Sequence, residues 1–295
     1  MRLPLSFSFA NFLRPVALLL AGMLLLPVSM AQDAAMLHSQ YGALHEKLAS
    51  NQFGRPLVLE STQSSGDLRG DVYAVVDHPF ATVQQGLQSI DHWCDILILH
   101  LNVKHCKASA TAKTISLRVG RKFDQPIEDA YELEFKYKVA ANMPDYLQVQ
   151  LTADEGPLST RDYRIQVEAI SVEDKKSVIH MSYAYGYGFA ARMAMQTYLM
   201  TIGRNKVGFS IVDHKEGKPV YIGGVLGLLE RNTMRYYLAI DAYLGAFSLP
   251  PGEQLERRIR DWYASTDRYA TQLHEMEQAD YLDMKRKEVR RQQQG

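Results

Sequence analysis

The sequence predicts an α+β protein: a seven-stranded antiparallel sheet whose apolar face is covered by a helix, with extra N- and C-terminal helices. Three observations lead there. Residues 131–139, 147–153 and 163–169 alternate apolar and polar side chains, as strands with one buried and one wet face do. Short turns separate them, so they form an antiparallel meander whose apolar face needs a cover. Leu226, Leu229, Thr233, Tyr236, Ile240, Leu244 and Phe247 recur at three-and-four spacing and supply a helix for that cover.

Residues 1–31 read as an address before they read as structure. Arg2 and Arg14 precede an apolar run at 16–26 that breaks at Pro27 and ends in Ser29-Met30-Ala31, the small-residue pattern that a signal peptidase cleaves. The run is about half of the ~20 apolar residues needed to cross a bilayer. Cleavage is predicted after Ala31, which makes the mature protein periplasmic or secreted. Residues 32–66 follow as an N-terminal helix and linker, with Met36, Tyr41, Leu44 and Leu48 near helical spacing and a polar stretch at 61–66 without periodicity.

The main domain is expected at 67–250. Residues 71–76 form a β-branched strand stopped by Asp77-His78-Pro79, and Phe80, Val83, Leu87 and Ile90 continue at helical spacing. A short apolar helix at 93–101 leads into strands at 103–108 and 114–119. The three alternating strands come next, and a last strand at 178–185 follows the turn at 173–176. Glu230, Arg231, Arg235 and Asp241 lie off the apolar stripe of the covering helix and are expected to be wet. Residues 251–295 are a C-terminal helical extension, whose seam of Leu255, Ile259, Trp262, Thr266, Tyr269, Leu273 and Met276 is expected to pack on the parent domain.

Lysine plus arginine number 33 and aspartate plus glutamate also 33, so no global field draws the chain to nucleic acid. The basic run of Lys285, Arg286, Lys287, Arg290 and Arg291 reads as a solvated helix end. The two cysteines, Cys94 and Cys106, are expected to form a disulfide in an oxidising compartment. His92, His100 and His105 around them offer a metal site as the alternative, but the tight ligand pairs usual in zinc sites are absent, so no metal is expected. Gly186-Tyr187-Gly188 followed by Phe189-Ala190-Ala191 fits a dinucleotide-binding spacing, but it follows a strand of an antiparallel set, so no cofactor is expected. No nucleophile elbow or related hydrolase motif occurs.

The order of elements resembles the START-like, or helix-grip, superfamily (SRPBCC), which includes the polyketide cyclases and the birch-pollen allergens. The resemblance is carried by the strand and turn Gly70-Asp71-Val72-Tyr73-Ala74-Val75-Val76-Asp77-His78-Pro79 and by the strand entry Gly156-Pro157-Leu158-Ser159-Thr160-Arg161-Asp162-Tyr163. It covers residues 68–247 and is one of pattern. An exported bacterial branch of that superfamily is implied, with a helix-grip fold: a curved seven-stranded antiparallel sheet around a C-terminal helix and a hydrophobic cavity between them. The extra helix and hairpin before Leu226 and the last 45 residues depart from the minimal fold.

Alternation then gives the expected lining: Tyr131, Phe135, Tyr137, Tyr163, Tyr183 and Tyr185 from the sheet, with Tyr236 and Ile240 from the helix. Arg118, His180 and Ser182 fall on the opposite parity and are expected at the surface. The expected partner is a lipid or other hydrophobic small molecule, with transient membrane contact and a monomeric state. No catalytic residues are assigned; the alternatives are a cyclase- or hydrolase-type enzyme in the same cavity and an envelope interaction protein using the C-terminal helix.

Overall fold

The computed structural model describes residues 25–201 and 203–294, and the alternating segments of the sequence lie side by side in one sheet. The described residues up to Ala43 and those from Leu44 onward fall in separate compact units. In the first, the described part is helix α1 (Leu25–Ala43); residues 1–24 of the predicted export signal lie outside the described residues. Everything below concerns the second unit.

That unit opens with α2 (His45–Ala49), β1 (Leu57–Ser64) and β2 (Asp67–Val76), followed by the short helices α3 (Phe80–Leu87) and α4 (Ile90–Leu97). The meander comprises β3 (Val103–Ser109), β4 (Thr114–Val119), β5 (Tyr131–Asn142), β6 (Tyr146–Glu155), β7 (Thr160–Glu173) and β8 (Lys176–Tyr187). Next come α5 (Phe189–Met200), a hairpin of β9 (Ile211–Lys215) and β10 (Lys218–Tyr221), and the long α6 (Gly224–Ala246). Three helices complete the chain: α7 (Pro251–Asp267), α8 (Ala270–Leu273) and α9 (Gln278–Gln294).

The large sheet has eight strands in the order β1-β2-β8-β7-β6-β5-β4-β3, every neighbouring pair antiparallel. Seven were expected. The eighth, β1, comes from the segment read as linker: only Leu57, Val58 and Leu59 are buried, and the rest of the strand is largely polar and wet. An edge strand is held through its backbone to one neighbour, here β2 with Leu57 opposite Ala74, so its side chains need not alternate. The architecture is consistent with a helix-grip type fold, with one strand more than expected.

Helix α6 lies against the sheet and contacts β1, β2 and β8. Gly70 on β2 permits the approach, because a Cβ there would collide with Thr233 of α6. On its other side α6 packs on α7, where Ile259 and Trp262 are buried and the Trp262 indole donates to the Arg235 carbonyl at 3.2 Å. Covered on two sides, α6 has little wet face. Glu230, Arg231 and Arg235, expected to be solvated, are buried, because β1 and the 207–210 and 273–275 segments come to meet them. Glu230 accepts from the Ser61 and Ser210 hydroxyls and from the backbone N–H groups of Phe209 and Ser210 at 2.6–2.9 Å.

Cys94 on α4 and Cys106 on β3 are bonded, with 5.3 Å between their Cα atoms. Closing so short a loop stabilises the fold by about 3 kcal/mol in the chain-entropy account. Among the described residues no group of three or more His, Cys, Asp or Glu side chains is placed to hold a metal. Nor is any described helix long and apolar enough to cross a membrane.

Two surface expectations are overturned. Lys285 of the basic run is fully buried, because α9 lies along β3 and turns that lysine toward the 100–104 segment. His180 and Ser182 are also buried, although they point away from the apolar core. His180 is held there by a polar network, donating to or accepting from Asp71 at 2.8 Å and Glu168 at 2.9 Å, with the Tyr73 ring stacked on it at 4.2 Å. Arg118 is partly exposed beside Glu132.

Candidate functional site

Between the sheet and α6 lies a cavity of ≈ 380 Å³, within the range of ~300–1,000 Å³ typical of small-molecule sites. Strand alternation builds one wall. Tyr183 and Tyr185, two apart on β8, share a face, and Tyr163 comes alongside from β7. Helix α6 builds the facing wall with Leu228, Asn232, Arg235 and Tyr236, which fall on one side because they are spaced four, three and one apart. His100 and Asn102 enter from the α4–β3 connection and Lys122 from the loop after β4.

The aromatic wall is continuous. Tyr163 and Tyr185 stack at 5.2 Å, Tyr183 lies 5.5 Å from Tyr185 and 5.1 Å from Tyr236, and Tyr236 stacks on His100 at 4.6 Å. Tyr163 donates its hydroxyl to Thr160 at 2.9 Å. The hydroxyls of Tyr183, Tyr185 and Tyr236 make no hydrogen bond to another described residue. Burial, reinforced by the neighbouring tyrosines, raises the pKa of all three, so they stay protonated and can donate.

The other end is polar and cationic. Glu275 pairs with Lys122 at 2.6 Å, Arg235 at 2.8 Å and Lys206 at 3.3 Å. Burial alone would raise the pKa of Glu275, but Arg235 and Lys122 outweigh it and hold the carboxyl below its usual range. His100 is 3 % exposed, and its Nδ1 accepts the Asn102 N–H at 3.2 Å. Burial, then the charges of Arg235, Lys285, Lys122 and Lys104, push the His100 pKa well below its ordinary value. The ring is therefore neutral with its proton on Nε2, and that nitrogen has no partner among the described residues.

The turn that carries Leu158 is strained. Leu158, Ser159 and Asp162 all adopt positive φ (57°, 65° and 54°), a region that side-chain-bearing residues seldom occupy. Leu158 lines the opening while remaining half exposed, and Met195 of α5 lines it too.

Of the eight residues expected to bind a ligand, Tyr163, Tyr183, Tyr185 and Tyr236 line this cavity. Phe135 stands behind them, buried and edge-on to Tyr163 at 6.3 Å. Tyr131 is 52 % exposed at the start of β5, outside the cavity. Tyr137 turns its hydroxyl to the Gln88 carbonyl at 2.6 Å, and Ile240 belongs to the solid core farther along α6. Sequence reasoning missed His100, Lys122, Asn232 and Arg235. One signal was available for the first: His100 interrupts the apolar run at 96–101.

No family model matches the chain, and no curated protein matches it. Among solved structures, it is similar to a norcoclaurine synthase point mutant from Thalictrum flavum bound to a transition-state analogue, at 13 % identity over 48 % of this chain and 86 % of that one, TM-score 0.33. An uncharacterised Bacillus thuringiensis protein matches at 11 % identity over 46 % of this chain and 93 % of that one, TM-score 0.31. A conserved Enterococcus faecalis protein of unknown function matches at 8 % identity over 79 % of this chain and 91 % of that one, TM-score 0.31. Likenesses this distant carry no argument about what the cavity does.

Proposed function

We propose that this is an exported binding protein that holds a hydrophobic small molecule between its sheet and α6. One observation carries the reading: a ≈ 380 Å³ cavity walled by four tyrosine rings, with the His100 Nε2 donor unmet among the described residues. Buried polar groups are nearly always satisfied, so an unmet donor on a residue that lines this half-open cavity supports a ligand as the missing partner. Tyr163, Tyr183, Tyr185 and Tyr236 would contact its apolar body, and Leu158 and Met195 would flank its entry. Export is supported by the signal-like residues 1–31 and the bonded cysteines, since disulfides persist in oxidising compartments.

Native mass spectrometry of the protein purified without denaturation from its own host is expected to show an adduct that organic extraction removes. The bare chain mass in every preparation would sink the proposal.

A further inference from the structure

The donors of the cavity are unevenly placed. The sheet side offers tyrosine hydroxyls around a flat aromatic surface, whereas the end formed by the α4–β3 connection and α6 gathers His100, Asn102, Lys122, Asn232 and Arg235. His100 is the group that fold stability does not explain. Its ring is packed on Tyr236, its Nδ1 is occupied by the Asn102 N–H, and its Nε2–H is buried without an acceptor. A buried donor left unmet is a standing cost, so an acceptor supplied from outside the chain accounts for its retention.

The surroundings say which acceptor. Arg235 and Lys122 line the same end, and the charges of Lys285 and Lys104 also act on His100, although both ammonium groups pair with Glu288 and donate to carbonyls of the 100–103 segment. Glu275, which pairs with Arg235 and Lys122, is not among the residues lining this cavity. An incoming group therefore meets cations and neutral donors and no lining carboxylate. A cationic ligand head would be repelled, and an apolar end would leave Nε2–H unmet. An anionic oxygen satisfies the donor and the field together.

Resting on the ligand-holding reading above, we propose that the cavity takes an organic acid. Its flat or single-chain apolar body lies against Tyr163, Tyr183, Tyr185 and Tyr236, and its carboxylate accepts from His100 Nε2–H beside Arg235 and Lys122. The cavity is at the small end of ligand sites, which suits a one- or two-ring acid or a short single-chain acid.

The test uses the full chain, stripped over hydrophobic resin, and three probes of one shape: 2-naphthoate, 2-methylnaphthalene and 2-naphthylmethylammonium, titrated by fluorescence at neutral pH. Naphthoate is expected to bind about tenfold or more tighter than either of the others. In His100→Phe, which keeps a flat ring on Tyr236, naphthoate affinity is expected to fall by about tenfold while methylnaphthalene binding is retained. In ¹⁵N-histidine-labelled wild-type protein, the His100 Nε2 resonance should move with naphthoate and stay with methylnaphthalene, a readout that does not depend on the variant folding. Equal binding of all three, or an unmoved Nε2 resonance on saturation with naphthoate, overturns the acid assignment and leaves the holding reading intact. Binding of none of the three overturns both.

Discussion

Replacing Glu288 with alanine is expected to destabilise the protein by about 3–5 kcal/mol, the usual cost of stranding a buried charge. Glu288, Lys104 and Lys285 are each wholly buried, and the one carboxylate meets both ammonium groups, at 3.0 and 2.7 Å. The lysines in turn donate to backbone carbonyls: Lys285 to His100 at 2.8 Å and Val103 at 3.0 Å, Lys104 to Leu101 at 2.9 Å. Burial brings Lys285 down to about 8 even with Glu288 beside it. Without that partner, two ammonium groups would share a dry site. Helix α9 would lose its hold on the segment that carries His100, a hold completed by the Tyr281 hydroxyl on the Leu99 carbonyl at 2.9 Å. Urea unfolding of the single variant measures the effect, and a change within about 0.5 kcal/mol, typical of a surface site, would contradict it. Replacing the trio together (Lys104→Met, Lys285→Met, Glu288→Leu) should recover part of the loss, because no charge is then stranded, though the carbonyls at 100, 101 and 103 lose their donors.

A loss of similar size, about 3–5 kcal/mol, is expected for His180→Leu, together with a changed response to pH. Burial alone would lower the pKa of His180, but its hydrogen bonds to Asp71 and Glu168 outweigh that and raise it. The same bonds overcome the burial of the two acids, bringing Asp71 down to about 2 and lowering Glu168. The raised imidazole contributes stability that is complete below ~6.5 and lost as pH rises through its folded value. The lowered carboxyls contribute stability that is complete above ~4.5 and lost as pH falls. The network is thus strongest between about pH 4.5 and 6.5, and its contribution declines on either side. In His180→Leu, Glu168 keeps the Tyr146 hydroxyl and the Gln148 amide but loses its cation, so the variant should gain stability relative to wild type as pH falls through that window. Unfolding free energies measured from pH 3 to 9 decide it, and parallel curves for the two proteins would remove the network from the account.

The sheet was legible because its strands are half wet. Tyr131 to Val139 alternates so cleanly that a strand and its buried parity follow from side chains alone, and Leu133 and Phe135 are indeed buried. Strand β1 was hidden because an edge strand is specified by backbone pairing, and Glu60, Thr62 and Gln63 carry no trace of it. Parity also identified Tyr163, Tyr183 and Tyr185, but it says nothing of where along a strand the cavity begins and ends. That is why Tyr131 and Tyr137 were included and lie outside.

The polar end of the cavity was illegible for a different reason. A helical wheel puts Arg235 away from the apolar stripe of α6, which means solvent only if nothing packs there, and the 273–275 segment does. Lys285 looked like part of a charged helix end because its partners, Glu288 excepted, are backbone carbonyls some 180 residues away. Contacts set by tertiary docking leave no periodic signature.

The most direct test is a crystal structure of the wild-type protein purified without denaturation from its own host. An organic molecule seated against Tyr163, Tyr183, Tyr185 and Tyr236 is the predicted result. Tyrosine rings closed over the space, leaving no room for a ligand, would contradict the account.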